Sequence, residues 1–299
     1  MPPARIVLWL ASLAGVALLA RSLWFEPVPM SVAVSAMVAY VALCILGVVF
    51  PWLEMFGDAA TQADPGPRLL ALTFDDGPFP PTTRKVLEHL AAAGHTATFF
   101  VLAQKAQKFP ELIKEMHAAG HEIAVHGFHH DRLYAWRTPK QVQEDIQRCQ
   151  SVLEALTGDK PRWFRPPMGM VSPRTAAGAK RAGVEIAAWS VRAYDGLASA
   201  DADRVRSRVE AGLRDGAIVL LHDASEYDEF EPVSVAVLPD LLKALAARGL
   251  RGVTLTHLFR EDVGGSDADE SQPPAPKDPQ DAAPDQDAGK SITKRAPPG

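Results

Sequence analysis

Between residues 69 and 261, short apolar runs alternate with helical stretches that end in glycine. A glycine just past a helix end adopts the left-handed conformation that turns the chain back into a strand. The predicted strands are residues 69–74, 98–102, 122–125, 162–164, 185–189, 217–221 and 252–255. Alternation of this kind predicts an α/β fold of about seven parallel strands with right-handed crossovers. Periodicity alone does not distinguish a closed or nearly closed barrel from an open sheet.

The first 60 residues carry a different pattern, in which two long apolar runs surround a short polar break. The second run, residues 32–50, has no charged residue and is long enough to span a bilayer. The proline-containing break at 26–29 favours a helical hairpin, so we interpret residues 1–60 as a membrane anchor of two transmembrane helices. The alternative is that residues 6–20 form a signal peptide, although no convincing small-x-small cleavage site precedes Arg21.

The anchor predicts location in a membrane, of the bacterial cytoplasmic type. Arg5 favours a cytoplasmic N-terminus, and a hairpin of two spans returns the following domain to the same side. Only one arginine determines this orientation, so the sequence leaves the membrane face open.

Composition excludes some classes of protein. The hydrophobic content is 47% and the net charge is -5, which does not support a basic nucleic-acid-binding surface. The two cysteines, Cys44 and Cys149, lie in an apolar run and in a predicted helix, so neither a disulfide framework nor a cysteine metal site is implied. No protein partner can be inferred from the sequence.

Polar residues collect at the C-terminal ends of the predicted strands, where β/α barrels carry their chemistry. These residues are Asp75, Asp76, His126, His130, Arg165, Asp195 and His222. Scattered polar residues would fall at either end of the strands, whereas these all fall at one end. Their common position indicates a functional site.

Each of these groups has an alternative interpretation when taken alone. His126 and His130 are four residues apart, and two imidazoles with one carboxylate suit a divalent cation, but they could also be a solvated cluster. His129 points elsewhere in that geometry, as a surface or supporting residue. Arg165 lies in a proline-rich loop and could hold an active-site carboxylate. His222 could instead be a satisfied core histidine.

Together these residues resemble the five ordered motifs of the polysaccharide deacetylases, the NodB-homology enzymes of carbohydrate esterase family four. The matching segments are Thr73-Phe-Asp-Asp-Gly-Pro, His126-x-x-x-His130, Arg165-x-Pro-x-Gly169, Asp195 and Leu220-x-His222. The resemblance implies a distorted (β/α) barrel and a metal-dependent amidohydrolase that acts on N-acyl amino sugars.

Carried over residue by residue, the resemblance assigns a role to each position. Asp75 would be the general base that activates a metal-bound water, and Arg165 would pair with it. Asp76, His126 and His130 would be the metal ligands. His222, oriented by Asp195, would protonate the departing amine. The backbone N–H of Met168 would help to hold the oxyanion, and Leu220 would line the pocket for the acyl methyl group.

Two positions depart from the family pattern. Gly127 follows the first motif histidine, where the family usually has Ser or Thr, so one supporting hydroxyl is missing. In the fourth motif, normally Asp-x-x-Asp-Trp, this chain has Arg192-Ala-Tyr-Asp195-Gly196 and keeps only the second Asp. The missing Trp leaves the wall of the binding groove, and hence the glycan specificity, open.

The sequence therefore predicts four segments: a membrane anchor (1–60), a linker (61–67), a NodB-like catalytic domain (68–261) and a disordered tail (262–299). The predicted function is a metal-dependent hydrolase that removes the N-acetyl group from an amino sugar of a glycan. The alternatives are a deformylase or deacetylase of a lipid-linked sugar and an inactive glycan-binding module. Zinc is the first choice of metal, with cobalt, nickel or manganese as alternatives.

Overall fold

The computed structural model of this protein describes residues 1–64, 66 and 68–260. The helices are α1 (Pro3–Trp24), α2 (Met30–Val49), α3 (Pro80–Ala92), α4 (Ala103–Lys108), α5 (Pro110–Ala118), α6 (Pro139–Thr157), α7 (Pro173–Ala182), α8 (Ala202–Gly212), α9 (Val233–Ala247) and α10 (Leu255–Arg260). The strands are β1 (Leu69–Asp75), β2 (Thr98–Val101), β3 (Glu122–Val125), β4 (Trp163–Phe164), β5 (Glu185–Ile186), β6 (Val191–Arg192), β7 (Ile218–His222) and β8 (Arg251–Val253). The predicted tail, residues 262–299, lies outside the described residues.

One parallel sheet contains all the described strands, in the order β5-β4-β3-β2-β1-β7-β6, with β8 paired to the start of β1. Every residue of β1 is buried, as expected for a central strand of a parallel sheet that is covered on both faces. Phe74 of β1 stacks on Phe99 of β2 with ring centroids 5.1 Å apart. The prediction of an α/β fold with parallel strands is confirmed.

The sheet closes on itself through the segment at residues 185–192. Its first half, β5, pairs with β4, and its second half, β6, pairs with β7 at the other end of the strand order. The sequence predicts one strand over 185–189, which is wrong in detail because this segment passes between two neighbours and pairs with each over only two residues. The outcome is the distorted barrel rather than an open sheet.

The glycines predicted to end helices adopt the expected conformation. The φ angles of Gly94, Gly120, Gly183, Gly216 and Gly249 lie between 63° and 81°. Each of these glycines lies two to four residues before the start of a strand. Each helix thus leads back into a strand that is parallel to the others, so the residues that follow the strands lie at the same edge of the sheet.

Two apolar helices precede the barrel. Both α1 and α2 are long and apolar enough to cross a membrane, and the structure buries no residue of α1 and only Gly47 of α2. Core helices of soluble proteins are mostly buried, so the alternative of a core helix does not fit either of them. Helices of this length near an N-terminus are compatible with membrane spans or with a signal sequence.

The segment that composition marks as a linker, residues 61–67, is in part attached to the barrel. Ala60 and Gln62 form isolated bridges with Ala187 and Ala217. The Ala63 N–H donates to the carbonyl of Gly216 at 2.8 Å. Residues 60–63 therefore pair both with residues 186–188 and with the residues just before β7 instead of running free.

Candidate active site

The site residues lie together at the C-terminal edge of the strands. Asp75 is the last residue of β1 and His222 is the last residue of β7, and the two are paired in register. His126 and Arg165 each directly follow a strand, β3 and β4 respectively. Asp195 lies three residues beyond β6. Parallel strands bring these ends to one place although the residues are far apart in the sequence.

Asp76, His126 and His130 form a compact group of candidate metal ligands. Their potential ligand atoms all lie within 4.8 Å of one another. Oδ1 of Asp76 is 3.4 Å from Nε2 of His126 and 3.7 Å from Nε2 of His130. Asp76 takes a positive φ of 73°, which directs its carboxylate away from β1.

Both histidines are held by contacts through Nδ1. His126 Nδ1 lies 2.8 Å from the carbonyl oxygen of Arg165, so Nδ1 carries the proton and Nε2 is free to act as a ligand. His130 Nδ1 lies 3.2 Å from Oε1 of Glu226. The other carboxylate oxygen of Glu226, Oε2, accepts a hydrogen bond from Nη2 of Arg132 at 2.9 Å. His129 is exposed and turns toward Gln104 instead.

The charge and hydrogen bonding of this group fit a divalent cation. Burial raises the pKa of Asp76, but the adjacent imidazoles of His126, His222 and His130 outweigh this and lower the pKa below its usual range. Burial lowers the pKa of His130, which favours a neutral imidazole. Oδ1 of Asp76 is buried without a hydrogen-bond partner among the described residues, although it faces two imidazole nitrogens. One anionic oxygen and two imidazoles with open positions are the donor set of catalytic zinc and related cations.

Asp75 is held next to this group by a buried arginine. Arg165 is fully buried, and its Nη1 donates to Oδ1 of Asp75 at 2.7 Å and to Oγ1 of Thr73 at 2.9 Å. The remaining donors of its guanidinium reach the carbonyls of Ala187 and Ala188. The other carboxylate oxygen of Asp75 lies 4.0 Å from Nε2 of His126. Asp75 therefore presents one oxygen toward the candidate metal ligands.

His222 and Asp195 form the second pair. Oδ1 of the fully buried Asp195 lies 3.0 Å from Nδ1 of His222, and Oδ2 accepts the His222 backbone N–H at 2.8 Å. Burial lowers the pKa of His222, but the carboxylates of Asp195, Asp76 and Asp75 outweigh this and raise it to about 10. These carboxylates favour the protonated imidazole, whose Nε2 can then donate a proton.

A cavity of about 470 Å³ opens above these residues, and both predicted substrate contacts line it. Leu220 is buried on β7. Met168 occupies a short turn at Pro167–Gly169 with a φ of 63°, and its backbone N–H has no acceptor among the described residues. The N–H is therefore available to an oxyanion in the cavity.

The two departures from the family pattern have structural reasons. Gly127 has a φ of 100°, and a Cβ there would lie 3.2 Å from the carbonyl oxygen of His129. The carboxylate of Asp145 supports this loop by accepting the N–H of Phe128 at 3.3 Å. Gly196 packs on the face of His222, since a Cβ there would lie 2.9 Å from the imidazole. A tryptophan at position 196 would need a different backbone.

Two acids of the site escape the sequence analysis. Glu226 contacts His130, as described above. Asp223 is fully buried, accepts a hydrogen bond from Thr83 and packs against Gly77, where a Cβ would overlap its carboxylate. Burial raises the pKa of Asp223 to about 7, and the Thr83 hydrogen bond and the nearby Lys105 limit the rise. Both acids follow β7 at the same edge of the sheet as His222. Their position just after a predicted strand is the sequence feature that could have identified them.

Comparison with known proteins agrees with this geometry. The family model for polysaccharide deacetylases matches residues 62–187 of this chain. A peptidoglycan-N-acetylglucosamine deacetylase of Bacillus cereus is 32% identical over 210 residues, which are 70% of this chain and 96% of that protein.

Solved structures show the same fold. The crystal structure of the Bc1960 peptidoglycan N-acetylglucosamine deacetylase aligns with a TM-score of 0.63 at 30% identity, over 71% of this chain and 96% of that one. A family 4 acetyl xylan esterase from Clostridium thermocellum, in complex with a cobalt ion, aligns with a TM-score of 0.59 at 33% identity, over 64% and 91%. A relative matched along nearly its whole length places this chain in the polysaccharide deacetylase family, as a carbohydrate N-deacetylase.

Proposed function

We propose that this protein removes the N-acetyl group from N-acetylglucosamine residues of a peptidoglycan-like glycan at a membrane surface. The observation that carries this proposal is that a candidate base and a candidate acid lie beside the three candidate ligands. The base is Asp75, held by Arg165, and the acid is His222, held by Asp195. Amide hydrolysis needs both a base for the attacking water and an acid for the leaving amine.

Asp76, His126 and His130 would hold the divalent cation. When bound, such a cation polarises the acyl carbonyl and lowers the pKa of water. Zinc is the first choice, and cobalt, nickel and manganese suit the same donors. The cobalt ion in the related acetyl xylan esterase supports a divalent metal without deciding among these.

The residues of the chain divide the proton transfers between them. Asp75 accepts a proton from the water that attacks the acyl carbon, while Arg165 holds the carboxylate in place. The N–H of Met168 stabilises the developing oxyanion, and Leu220 contacts the acyl methyl group. His222 then gives its Nε2 proton to the sugar nitrogen as the C–N bond breaks, which leaves acetate and a free amine.

A second candidate is a deformylase or deacetylase of a lipid-linked sugar. The two apolar helices favour it, because an anchored barrel would meet substrates that are themselves embedded in the bilayer. We propose residues 1–60 as the anchor, 61–67 as the connecting segment and 68–261 as the catalytic domain. The third possibility, an inactive glycan-binding module, is disfavoured because every residue assigned to bond breaking is present.

Mass spectrometry of three substrates after incubation with the zinc-loaded enzyme tests the proposal. The substrates are N-acetylglucosamine oligomers, glycan strands of peptidoglycan and an N-formylated lipid-linked amino sugar. We expect loss of acetyl from the first two and no reaction with the third. Reaction with the lipid-linked sugar alone would establish the second candidate, and absence of any reaction together with glycan binding would establish the inactive module.

A further inference from the structure

Arg192 lies on the wall of the active-site cavity at the end of β6. It pairs in register with Leu220 of β7, two residues before His222. Its side chain is exposed, and no carboxylate among the described residues lies within ion-pair distance of it. Arg192 is therefore a cation at the mouth of the site with no anion to balance it.

Aromatic rings hold this cation in place. The guanidinium carbon of Arg192 lies 5.3 Å from the ring centroid of Trp189 and 4.6 Å from that of Tyr194. Arg208, which donates to the carbonyl of Ala193 at 2.8 Å, lies 4.8 Å from the same Tyr194 ring. Cation–π contacts orient a guanidinium but leave its N–H donors free for an anion.

The other charged groups around the cavity are already paired or assigned. Arg165 binds Asp75, Arg132 binds Glu226, and His222 binds Asp195. Glu229 is an exposed carboxylate that also lines the cavity, on the loop after β7. The unpaired positive charge that lines the cavity is therefore Arg192 on the β6 side, and Arg208, which lies outside the lining, contacts the same Tyr194 ring.

Taking the proposed glycan deacylase function as given, we propose that Arg192, held by Tyr194, forms a subsite for an anionic group of the glycan, with Arg208 adding positive charge beside it. The planar guanidinium matches a carboxylate or a phosphate through two parallel hydrogen bonds. A neutral sugar would instead stack on an open aromatic face, but two guanidinium groups lie within 5 Å of the Tyr194 centroid. The substrate class is thus an amino-sugar glycan that carries a carboxylate or a phosphate near the sugar that loses its acyl group.

Kinetics with matched oligomers test this subsite. The probes are a neutral N-acetylglucosamine tetramer and two derivatives with carboxymethyl or phosphate groups on O6. We expect the zinc enzyme to prefer at least one anionic oligomer by about 10-fold in kcat/KM, since a hydrogen bond to a charged group contributes about that factor. Added salt should weaken this preference. The derivative with the larger preference identifies carboxylate or phosphate as the anion.

Arg192→Gln should lower the ratio of anionic to neutral kcat/KM by about 10-fold, mainly through KM, because it removes the charge and the paired donors. Arg192→Lys should restore part of the ratio. The control is Arg84→Gln, a change of the same charge at an exposed residue of α3 that pairs with Glu115. Equal use of all three oligomers by the wild type, or an equal effect of Arg192→Gln on all of them, would overturn the subsite.

Calorimetry separates this subsite from the proposed function. Asp75→Asn protein with zinc is titrated with each oligomer, with and without Arg192→Gln. We expect tighter binding of an anionic oligomer that depends on Arg192. If the wild type deacetylates nothing while this binding persists, the proposed function fails and the subsite stands. Binding that ignores both the anion and Arg192 refutes the subsite, whatever the activity.

Discussion

Glu226 Oε1 lies 3.2 Å from Nδ1 of His130, whose other ring nitrogen faces Asp76 at 3.7 Å. The two nitrogens of one imidazole thus face two carboxylates, one among the candidate ligands and one behind them. A carboxylate in this position fixes the orientation of a ligand histidine and increases its basicity. We therefore predict that Glu226 positions His130 in the candidate metal site.

The first prediction follows from this contact. Glu226→Gln should weaken zinc binding by about 10- to 100-fold, because the amide lacks the charge that supports the imidazole. Competition with a chromophoric chelator measures the affinity without relying on turnover. Glu229→Gln, on the same loop but exposed, is the matched control. Unchanged zinc affinity in Glu226→Gln would mean that Glu226 only packs against the site.

The second prediction concerns metal removal. Exhaustive chelation should abolish deacetylation, and added zinc should restore it, because Asp76, His126 and His130 form the candidate site. His126→Ala should lower metal content, measured by elemental analysis, with little change in the circular dichroism spectrum. Full activity in protein shown to be free of metal would refute a metal-dependent mechanism.

The third prediction assigns the base. Asp75→Asn should lower kcat by roughly 100-fold or more while zinc remains bound, because asparagine cannot accept the proton of water. Single-turnover kinetics and zinc content are measured on the same sample. Near-normal turnover with zinc bound would transfer the role of base to another group.

The fourth prediction is the pH dependence of the acid. His222 donates only when protonated, and the neighbouring carboxylates raise its pKa to about 10, so activity should fall as the pH rises through this range. Asp195→Asn removes a carboxylate that raises this pKa, so the alkaline limb should move to lower pH. A cation held by Asp76 would offset part of the effect of the Asp76 carboxylate on the pKa of His222. It would therefore move the alkaline limbs of the wild type and of Asp195→Asn alike to lower pH. A pH–rate profile in which Asp195→Asn leaves the alkaline limb in place would exclude His222 as its source.

The fifth prediction tests the packing of Gly196 on His222. Gly196→Ala would place a Cβ 2.9 Å from the imidazole, so the ring or the backbone must move. We expect a loss of about 1–3 kcal/mol in the free energy of unfolding, as for overpacked sites, and a lower kcat at unchanged zinc affinity. Thermal unfolding and the chelator assay measure the two effects. Wild-type kcat in this variant would show that His222 does not need its present position.

Local patterns were sufficient for most of the barrel. Six of the seven predicted strands coincide with observed strands to within two residues at each end, because apolar runs and left-handed glycines are properties of neighbouring residues. The same local patterns also predicted which polar residues lie at the ends of the strands. Once the strands are parallel, Asp75, His126 and His222 must meet at one edge.

Only the tertiary structure decided the features that depend on distant neighbours. The run at 185–189 is apolar enough for one strand, but its pairing with β4 and then β7 divides it and closes the barrel. The contact of Glu226 with His130 joins residues that are 96 positions apart in the sequence. Likewise, the ring of His222 leaves no room for a Cβ at Gly196. Periodicity records which face of an element is buried, whereas the identity of its partner arises only when the whole chain packs.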